Sequence, residues 1–530
     1  MIRPLLLGAL LGVPWVFAFS PYGHWWLGLL MLVFLPTLAT LFLQASRRWS
    51  ASMFLCGLGF GWAAYGVGVS WLHISLHTYG GLPSWFAWVS VSLFALYLAL
   101  FPALALLAYG RFRSLSGAPF HVFSNALLWS GLWTFFEWAR STFMTGFAWL
   151  GLGDTFVDSP FNAMLPWLGS HGTLFVLLLL GYLLLGFARN RSLALAVPIV
   201  VVGLVVGLLL QAPLNTRAAP VLSVAGVQTN VDQSIKFDPD LIVSNMEKAF
   251  ALGDLAKADL SAPGLIVFPE TVNPLVWTDT PKAWRLRFRD FAIPDSTPVI
   301  LGSAIQEDSE YFNSIVMLNG DESEEALTVP QVRHDKRHLV PFGEFIPLGF
   351  KWFVAMLNMP MGEFTRGTGP LSPFAVGDNF LASTVCYEDT FSGEFAGLLM
   401  HAQQEPTMLL NLSNLAWFGQ TRALNQHAQM GRTRSAEHRK PSLRVTNTGL
   451  SGIVDERGQW VKLVPAGQAT VWSGQIEGRL GLTFFAKWGS SIWFVLWGVV
   501  LLLCGVREWR IRAYNRAHSS KTESTHSHVN

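Results

Sequence analysis

The sequence predicts two parts of different class: a polytopic α-helical membrane domain of eight transmembrane helices, and an α/β domain inserted before the last of them. Three observations predict this. Of the 530 residues, 51% are hydrophobic and only 13% charged, where soluble domains carry nearer 25% charge. Apolar runs at about residues 4–19, 24–44, 52–72, 85–109, 119–138, 163–187, 193–211 and 485–506 mostly reach the roughly 20 residues needed to cross a hydrocarbon core. Between the last two runs, strand-like and helical patterns alternate over residues 218–480, the signature of sheets covered by helices.

The first run is short, and "MIRPLLLGALLGVPWVFAFS" has the length of a signal peptide. No clean small-x-small cleavage site follows it, so it reads as an uncleaved span. Basic residues set the orientation. Arg3, Arg47 with Arg48, Arg111 with Arg113, Arg189 with Arg191, and Arg507, Arg510, Arg512 and Arg516 mark alternate loops, with Arg140 the exception. The positive-inside rule puts both termini in the cytoplasm. The expected division is residues 1–211 as transmembrane helices 1–7, 212–484 as an extracytoplasmic catalytic domain, 485–506 as helix 8, and 507–530 as a cytoplasmic polar tail, read as disordered. Glu137 and Arg140 in "FFEWARSTFMTGFAWLG" are charges at membrane depth. They read either as an interfacial pair closing the fifth span or as functional groups.

In the inserted domain, "VLSVAGVQT", "GLIVFPE", "TPVILGSAI", "NSIVMLN", "FLASTVCYE" and "TMLLNLSN" read as strands, and 240–257, 281–292, 391–403 and 422–438 as helices. "SLRVTNTGLSGIVDERGQWVKLV" reads as two strands joined by a D-E-R-G turn. The segment 348–364, "LGFKWFVAMLNMPMGEF", is rich in Phe, Trp and Met and is cut by Pro360. It reads as a loop with its apolar face on lipid headgroups, or else as a core helix. A net charge of +2 without a basic cluster gives no nucleic-acid surface. Three scattered cysteines exclude a disulfide framework or a Cys-based zinc site.

Cys386, in "STVCYEDTF", is the one cysteine outside a long apolar run. Glu388 and Asp389 follow it closely, and negative neighbours oppose the reactive thiolate. A reactive Cys386 therefore needs a cation and a base from elsewhere. Glu270 closes the strand-like "LIVFPE", and Lys336 lies in "VRHDKRHLVPFGEFIP", after a short strand-like piece. Strand ends are where layered α/β folds gather their sites. Together these residues supply a nucleophile (Cys386), a general base (Glu270) and an oxyanion partner (Lys336), with the backbone N–H of Tyr387 as a second oxyanion donor. His334, His338 and His427 are tied to no nucleophile by a motif.

Glu, Lys and Cys in "FPE", "DKRHLVPFGEF" and "CYE" resemble the signature of the nitrilase (carbon–nitrogen hydrolase) superfamily, whose fold is an α-β-β-α sandwich. With eight spans the chain is similar to the apolipoprotein N-acyltransferase branch of bacterial inner membranes. "FSPYG", "EWARSTFMTGFAWLG", "VQTNVDQSIKFDP", "NLSNLAWFG" and "RKPSLRVTNTGLSG" carry that resemblance from about residue 10 to 505. It implies a two-step acyl transfer without metal or cofactor. The donor is a phospholipid, usually phosphatidylethanolamine, and the acceptor is the α-amine of an S-diacylglyceryl-cysteine apolipoprotein. It also implies functional roles for Glu344, Tyr387, Glu388 and Trp417. The chain departs from the family pattern at Phe237, where Trp is usual, and at Leu415, where Asp is usual. A monomer in the inner membrane with a periplasmic catalytic domain is expected. The competing readings are a membrane-anchored amidase using the same trio, and a transporter whose outer domain only binds; the spans lack the paired broken helices of the latter.

Overall fold

The computed structural model describes every residue except Met1 and residues 44–48, 114–117, 212–215, 261–263, 294–296, 358–362, 492, 504, 508 and 510–530. Arg47, Arg48, Pro360, Arg510, Arg512, Arg516 and the polar tail lie outside the described residues.

Five helices are long and apolar enough to cross a membrane: Trp25–Leu43, Trp49–Gly68, Ser84–Phe112, Pro160–Asn190 and Leu193–Gln211. The remaining three predicted runs are also helical but fall short on length or apolarity. Ile2–Ala18 and Trp493–Arg507 are shorter apolar helices, and Pro119–Thr142 is diluted by Asn125, Glu137 and Arg140, all buried. Small residues set the packing. A Cβ at Gly8 would sit 1.9 Å from the Cys56 carbonyl oxygen, and one at Gly59 only 2.1 Å from that of Leu5. The first and third helices therefore touch backbone to backbone, as membrane helices do where no hydrophobic force drives them together.

The inserted domain is two six-stranded sheets. The first contains β1 (Arg217–Gln228), β2 (Gly264–Val267), β3 (Val299–Glu307), β4 (Glu310–Leu318) and β5 (Arg333–Asp335). The second contains β6 (Phe374–Val376), β7 (Asn379–Val385), β8 (Met408–Ser413), β9 (Ser442–Thr446), β10 (Ser451–Val454) and β11 (Trp460–Val464). A last strand, β12 (Thr470–Leu480), returns to the first sheet. The orders are β12-β1-β2-β3-β4-β5 and β11-β10-β9-β8-β7-β6. Each sheet has a parallel centre, β1-β2-β3 in one and β7-β8-β9 in the other, flanked by antiparallel strands. The stretch 442–464 forms three strands, not two, with the D-E-R-G turn joining β10 to β11. The "NTGL" between β9 and β10 makes the additional reversal.

The layers follow from strands that are apolar on both faces. Val224, Val267 and Ile300 meet Leu381, Leu410 and Val445 in the core between the sheets. Outside the first sheet, Met246, Phe250 and Phe288 of helices Ile242–Asp259 and Lys282–Arg289 pack with Phe268 and Leu301. Outside the second, Phe395 and Leu399 of helix Ser392–Met400 cover Ala382 and Leu409. This is the α-β-β-α sandwich that the resemblance implies.

Helix Arg422–His438 covers the second sheet as well, yet it is polar and almost wholly buried. Its other side meets the connections between membrane helices. Arg434 pairs with Asp154 at 2.6 Å and Arg432 with Asp158 at 2.6 Å. The Gln426 amide oxygen accepts from the indoles of Trp71 and Trp149, at 3.2 and 2.9 Å. Glu437 accepts from the Ser170 N–H at 2.8 Å. Glu137 and Arg140 are buried where Pro119–Thr142 ends. Glu137 accepts from the Leu152 N–H at 2.9 Å, and Arg140 donates to the Trp149 carbonyl at 2.8 Å. They pin the following loop, a structural use of the intramembrane charges.

Candidate active site

Glu270, Lys336 and Cys386 each stand just beyond a strand end, after β2, β5 and β7. Neighbouring parallel strands share direction, so the loops that leave them meet at one edge of the sandwich. Lys336 is the electrostatic centre, and its relative exposure is 1%. Its ammonium donates to Glu344 Oε1 at 2.8 Å and lies 3.6 Å from Glu270 Oε1. Asn313, on β4, bridges the two acids, its Nδ2 lying 2.8 Å from an oxygen of each. The other Glu270 oxygen accepts from the Asn414 N–H at 2.7 Å, and the other Glu344 oxygen from the Val340 N–H at 2.8 Å. Burial by itself would lower the Lys336 pKa, but Glu344, Glu270 and Cys386 outweigh it and hold the ammonium charged.

Cys386 is half-buried and within electrostatic reach of Glu270, Lys336 and Glu344. Its φ is 50°, a left-handed conformation that costs a non-glycine residue about 1–2 kcal/mol. Two groups on its carbonyl oxygen hold it there: the Asn411 amide at 3.3 Å and His427 Nε2 at 3.1 Å. Arg444 donates to His427 Nδ1 at 3.0 Å, which leaves Nε2 as the protonated nitrogen. Burial and Arg444 push the His427 pKa down to about 4, so this ring is a neutral donor and no base.

The acids next to Cys386 are not its electrostatic neighbours. In the 3₁₀ turn Cys386–Thr390, successive side chains rotate by about 120°. Asp389 turns to the Arg444 guanidinium and the Thr384 hydroxyl. Glu388 accepts four hydrogen bonds: from the N–H groups of Val385, Arg337 and His338 at 2.6, 2.7 and 3.3 Å, and from His334 at 3.2 Å. It thereby clamps the Lys336 segment to the Cys386 turn. What raises the thiol is burial first, then Glu270, and Lys336 only partly opposes them. The resting sulfur is a protonated thiol that needs a base, not a preformed thiolate.

Burial alone would raise the Glu388 pKa; His334 and the N–H donors outweigh it and hold this carboxyl below the usual range. Its ionised form therefore stabilises the fold above the ordinary glutamate pKa, and that stability is lost as pH falls through the depressed value. Glu388→Gln sets an amide N–H₂ against N–H donors. It is expected to cost about 3 kcal/mol and to flatten the acid side of a stability-against-pH curve, measured by thermal unfolding between pH 3 and 6. An unchanged curve would contradict the clamp.

The comparisons with known proteins bear on this geometry. Residues 11–183 match the family described as apolipoprotein N-acyltransferase N-terminal domain, and residues 223–483 match carbon-nitrogen hydrolase. The apolipoprotein N-acyltransferase of Ralstonia nicotianae is 37% identical over 494 residues, covering 92% of this chain and 90% of that one. The chain belongs to the apolipoprotein N-acyltransferase family. Relatives of the same name from Bordetella bronchiseptica and Shewanella oneidensis are 33% and 31% identical, with 94% and 95% of this chain and 95% of each of theirs covered. Among solved structures, a CN-hydrolase superfamily protein of Xanthomonas campestris has 18% identity and a TM-score of 0.36, covering 49% of this chain and 91% of that one.

The other residues implied by membership of the acyltransferase family divide. Glu344 joins the buried cluster, and Glu388 stands behind it. The Tyr387 side chain faces the membrane domain, its hydroxyl donating to the Gly146 carbonyl at 3.2 Å. Trp417 is in the turn Ala416–Phe418, where its carbonyl accepts from Ser75 at 2.8 Å and its ring lies 5.9 Å from that of Tyr79. Phe237 is half-buried at the end of helix Gln233–Lys236. Leu415 has a φ of 56°, a backbone state that Asp tolerates better than Leu. Among the described residues no group of three or more His, Cys, Asp or Glu could hold a metal.

Asn313, Asn414 and Lys236 were not singled out by the sequence reading. Lys236 is buried, 2.9 Å from the Asn414 amide oxygen and 3.3 Å from the Glu270 carbonyl. Burial pushes its pKa down to about 7, against the pull of Glu270. Below that pH it is a cation; as pH rises through it the charge is lost. Lys236→Met is expected to remove the step that this charge puts into the pH profile of kcat/KM near pH 7, and Lys236→Arg to hold activity at its low-pH level through that range. A profile that keeps its step near pH 7 in both variants would show that the lysine charge does not act on the site. Asparagine amides and a lysine inside "QSIKFDP" carry no local signal, which is why tertiary contacts were needed to find them.

Proposed function

We propose that this chain transfers a fatty acyl group from a phospholipid to the N-terminal α-amine of S-diacylglyceryl-cysteine apolipoproteins, through a thioester on Cys386. The observation that carries this reading is the convergence of Glu270, Lys336 and Cys386 at one buried sheet edge, in a chain whose helices belong in a membrane. Glu270 takes the thiol proton as sulfur attacks the ester carbonyl. The oxyanion is met by Lys336 and the Tyr387 N–H. Collapse expels the lysophospholipid alkoxide, which takes the proton back from Glu270. In the second step the apolipoprotein amine attacks the thioester, passes a proton to Glu270 and releases Cys386, which is reprotonated. A monomer is the state we favour.

Phosphatidylethanolamine is the donor we favour, and eight spans with residues 212–484 on the periplasmic side of the inner membrane is the topology. The segment before residue 358 supports a membrane-facing surface. Trp352 is 61% exposed, while Phe353 and Leu357 pack on Phe86, Leu82 and Ala87 at the start of a spanning helix. Such a surface admits lipid chains and excludes water, so that transfer outruns hydrolysis. Trp352→Ser/Phe353→Ser is expected to raise KM for phospholipid about tenfold while leaving reaction with a short water-soluble thioester unchanged. Equal losses on both substrates would contradict it. An amidase of the nitrilase superfamily would use the same trio, but needs neither this surface nor the spans.

The deciding experiment is mass spectrometry of the protein incubated with phospholipid. An acyl adduct is expected on Cys386; an adduct on another residue overturns the assignment.

A further inference from the structure

A cavity of about 880 Å³ lies between the membrane helices and the α/β domain. None of Glu270, Lys336 and Cys386 is among its lining residues. Its walls are the end of Pro119–Thr142, the start of Leu165–Asn190, helix Ser392–Met400, residues 486–491 and Phe494. Tyr387 and Phe391, packed ring to ring at 4.8 Å, lead the chain from the nucleophile towards this wall.

The two ends of the cavity differ in chemistry. Its floor holds Arg140 and Arg434, both buried, with Glu137 and Asp154 beside them. Arg434 gives Nη2 to Asp154 at 2.6 Å and sets Nε 3.0 Å from Glu437, yet its Nη1 has no hydrogen-bond partner among the described residues. The Nε of Arg140 likewise has none. Each guanidinium thus keeps an N–H that no described protein group uses, in a residue that lines the cavity. The mouth is apolar: Met400, Trp488 and Phe494 are 50%, 58% and 47% exposed there. Trp488 precedes the apolar helix Trp493–Arg507 and Phe494 lies in its first turn, where aromatic rings sit at a membrane interface.

We propose that this cavity binds a phospholipid with a zwitterionic headgroup, separately from the acyl donor. The phosphate oxygens accept from Arg434 and Arg140, the amine faces Glu137 and Asp154, and the chains leave between Trp488 and Phe494. Both signs of charge at the floor suit a zwitterion, because two carboxylates beside the guanidiniums disfavour a bare anion. The apolar mouth suits chains that stay in the bilayer. The volume lies in the range of pockets that enclose small ligands.

The test uses the full chain in nanodiscs containing a phosphatidylethanolamine with a diazirine near the head of one chain. After irradiation, peptide mapping is expected to find label on segments 393–401 and 486–494. Gly397 lines the cavity, and a Cβ there would meet nothing within 4 Å. Gly397→Trp should therefore fill the space and reduce that labelling about tenfold, with thioester formation on Cys386 unchanged. Met400→Asp, at the exposed mouth, should reduce it as well and guards against misfolding of the tryptophan variant. Labelling that is equal in all three proteins, absent from these segments, or abolished by inorganic phosphate would overturn the site. Cys386 acylation is read in the same spectra, so a failure here is distinguishable from a failure of the transfer reaction.

Discussion

Glu270→Gln is expected to leave Cys386 without an acyl adduct after incubation with phospholipid, and to lower the rate of transfer by about 10²–10⁴-fold. Two effects combine. The substitution removes the acceptor for the thiol proton, and burial with nearby acids keeps that thiol protonated. It also breaks a matched pattern, since both Glu270 oxygens accept, one from Asn313 and the other from the Asn414 N–H. A glutamine can satisfy only one of these donors and points an N–H₂ at the other. A pH series separates lost base from lost geometry. Without a base, residual activity should rise steadily with pH as solvent deprotonates the thiol. A variant that is fully acylated, or whose low activity ignores pH, would remove Glu270 from its proposed role.

Lys336→Met has the other large effect, and it falls on stability as well as rate. The ammonium is the counter-charge for Glu344 and Glu270 in a buried site. Removing one partner of a buried pair leaves an uncompensated charge and costs about 3–5 kcal/mol. Loss of an oxyanion partner lowers the rate by about 10²–10³-fold. The double variant Lys336→Met/Glu344→Gln removes one of the stranded acids and should regain part of the stability without regaining activity. Thermal unfolding and single-turnover thioester formation measure the two. Activity that returns together with stability would make Lys336 a structural residue only.

Much of this site was legible because its groups end strands. Glu270 and Cys386 follow apolar runs that can only be buried strands, and the loops after parallel strands converge. Lys336 carried a weaker signal by itself, since "DKRH" reads like any solvated basic patch, and it stood out only beside the other two strand ends. Glu388 was legible as a residue but not as a role. Two positions from a cysteine in sequence it reads as a repulsive neighbour, whereas the 3₁₀ turn carries it round to four donors. His427 was likewise legible as a residue but not as a role, since its bond to the Cys386 carbonyl spans 41 residues.

Composition and periodicity by themselves determined that helices fill a membrane-like core and that a helix-covered sheet domain interrupts them, because burial of apolar surface depends on local pattern. Only the tertiary structure decided where the polar groups go. Helix Arg422–His438 has the composition of a solvated surface helix, yet it is buried because Asp154, Asp158, Trp149 and Ser170 come from far along the chain to satisfy it. Hydrogen bonds and ion pairs are directional and pairwise. Their outcome depends on which partner arrives, and no local stretch of sequence records that.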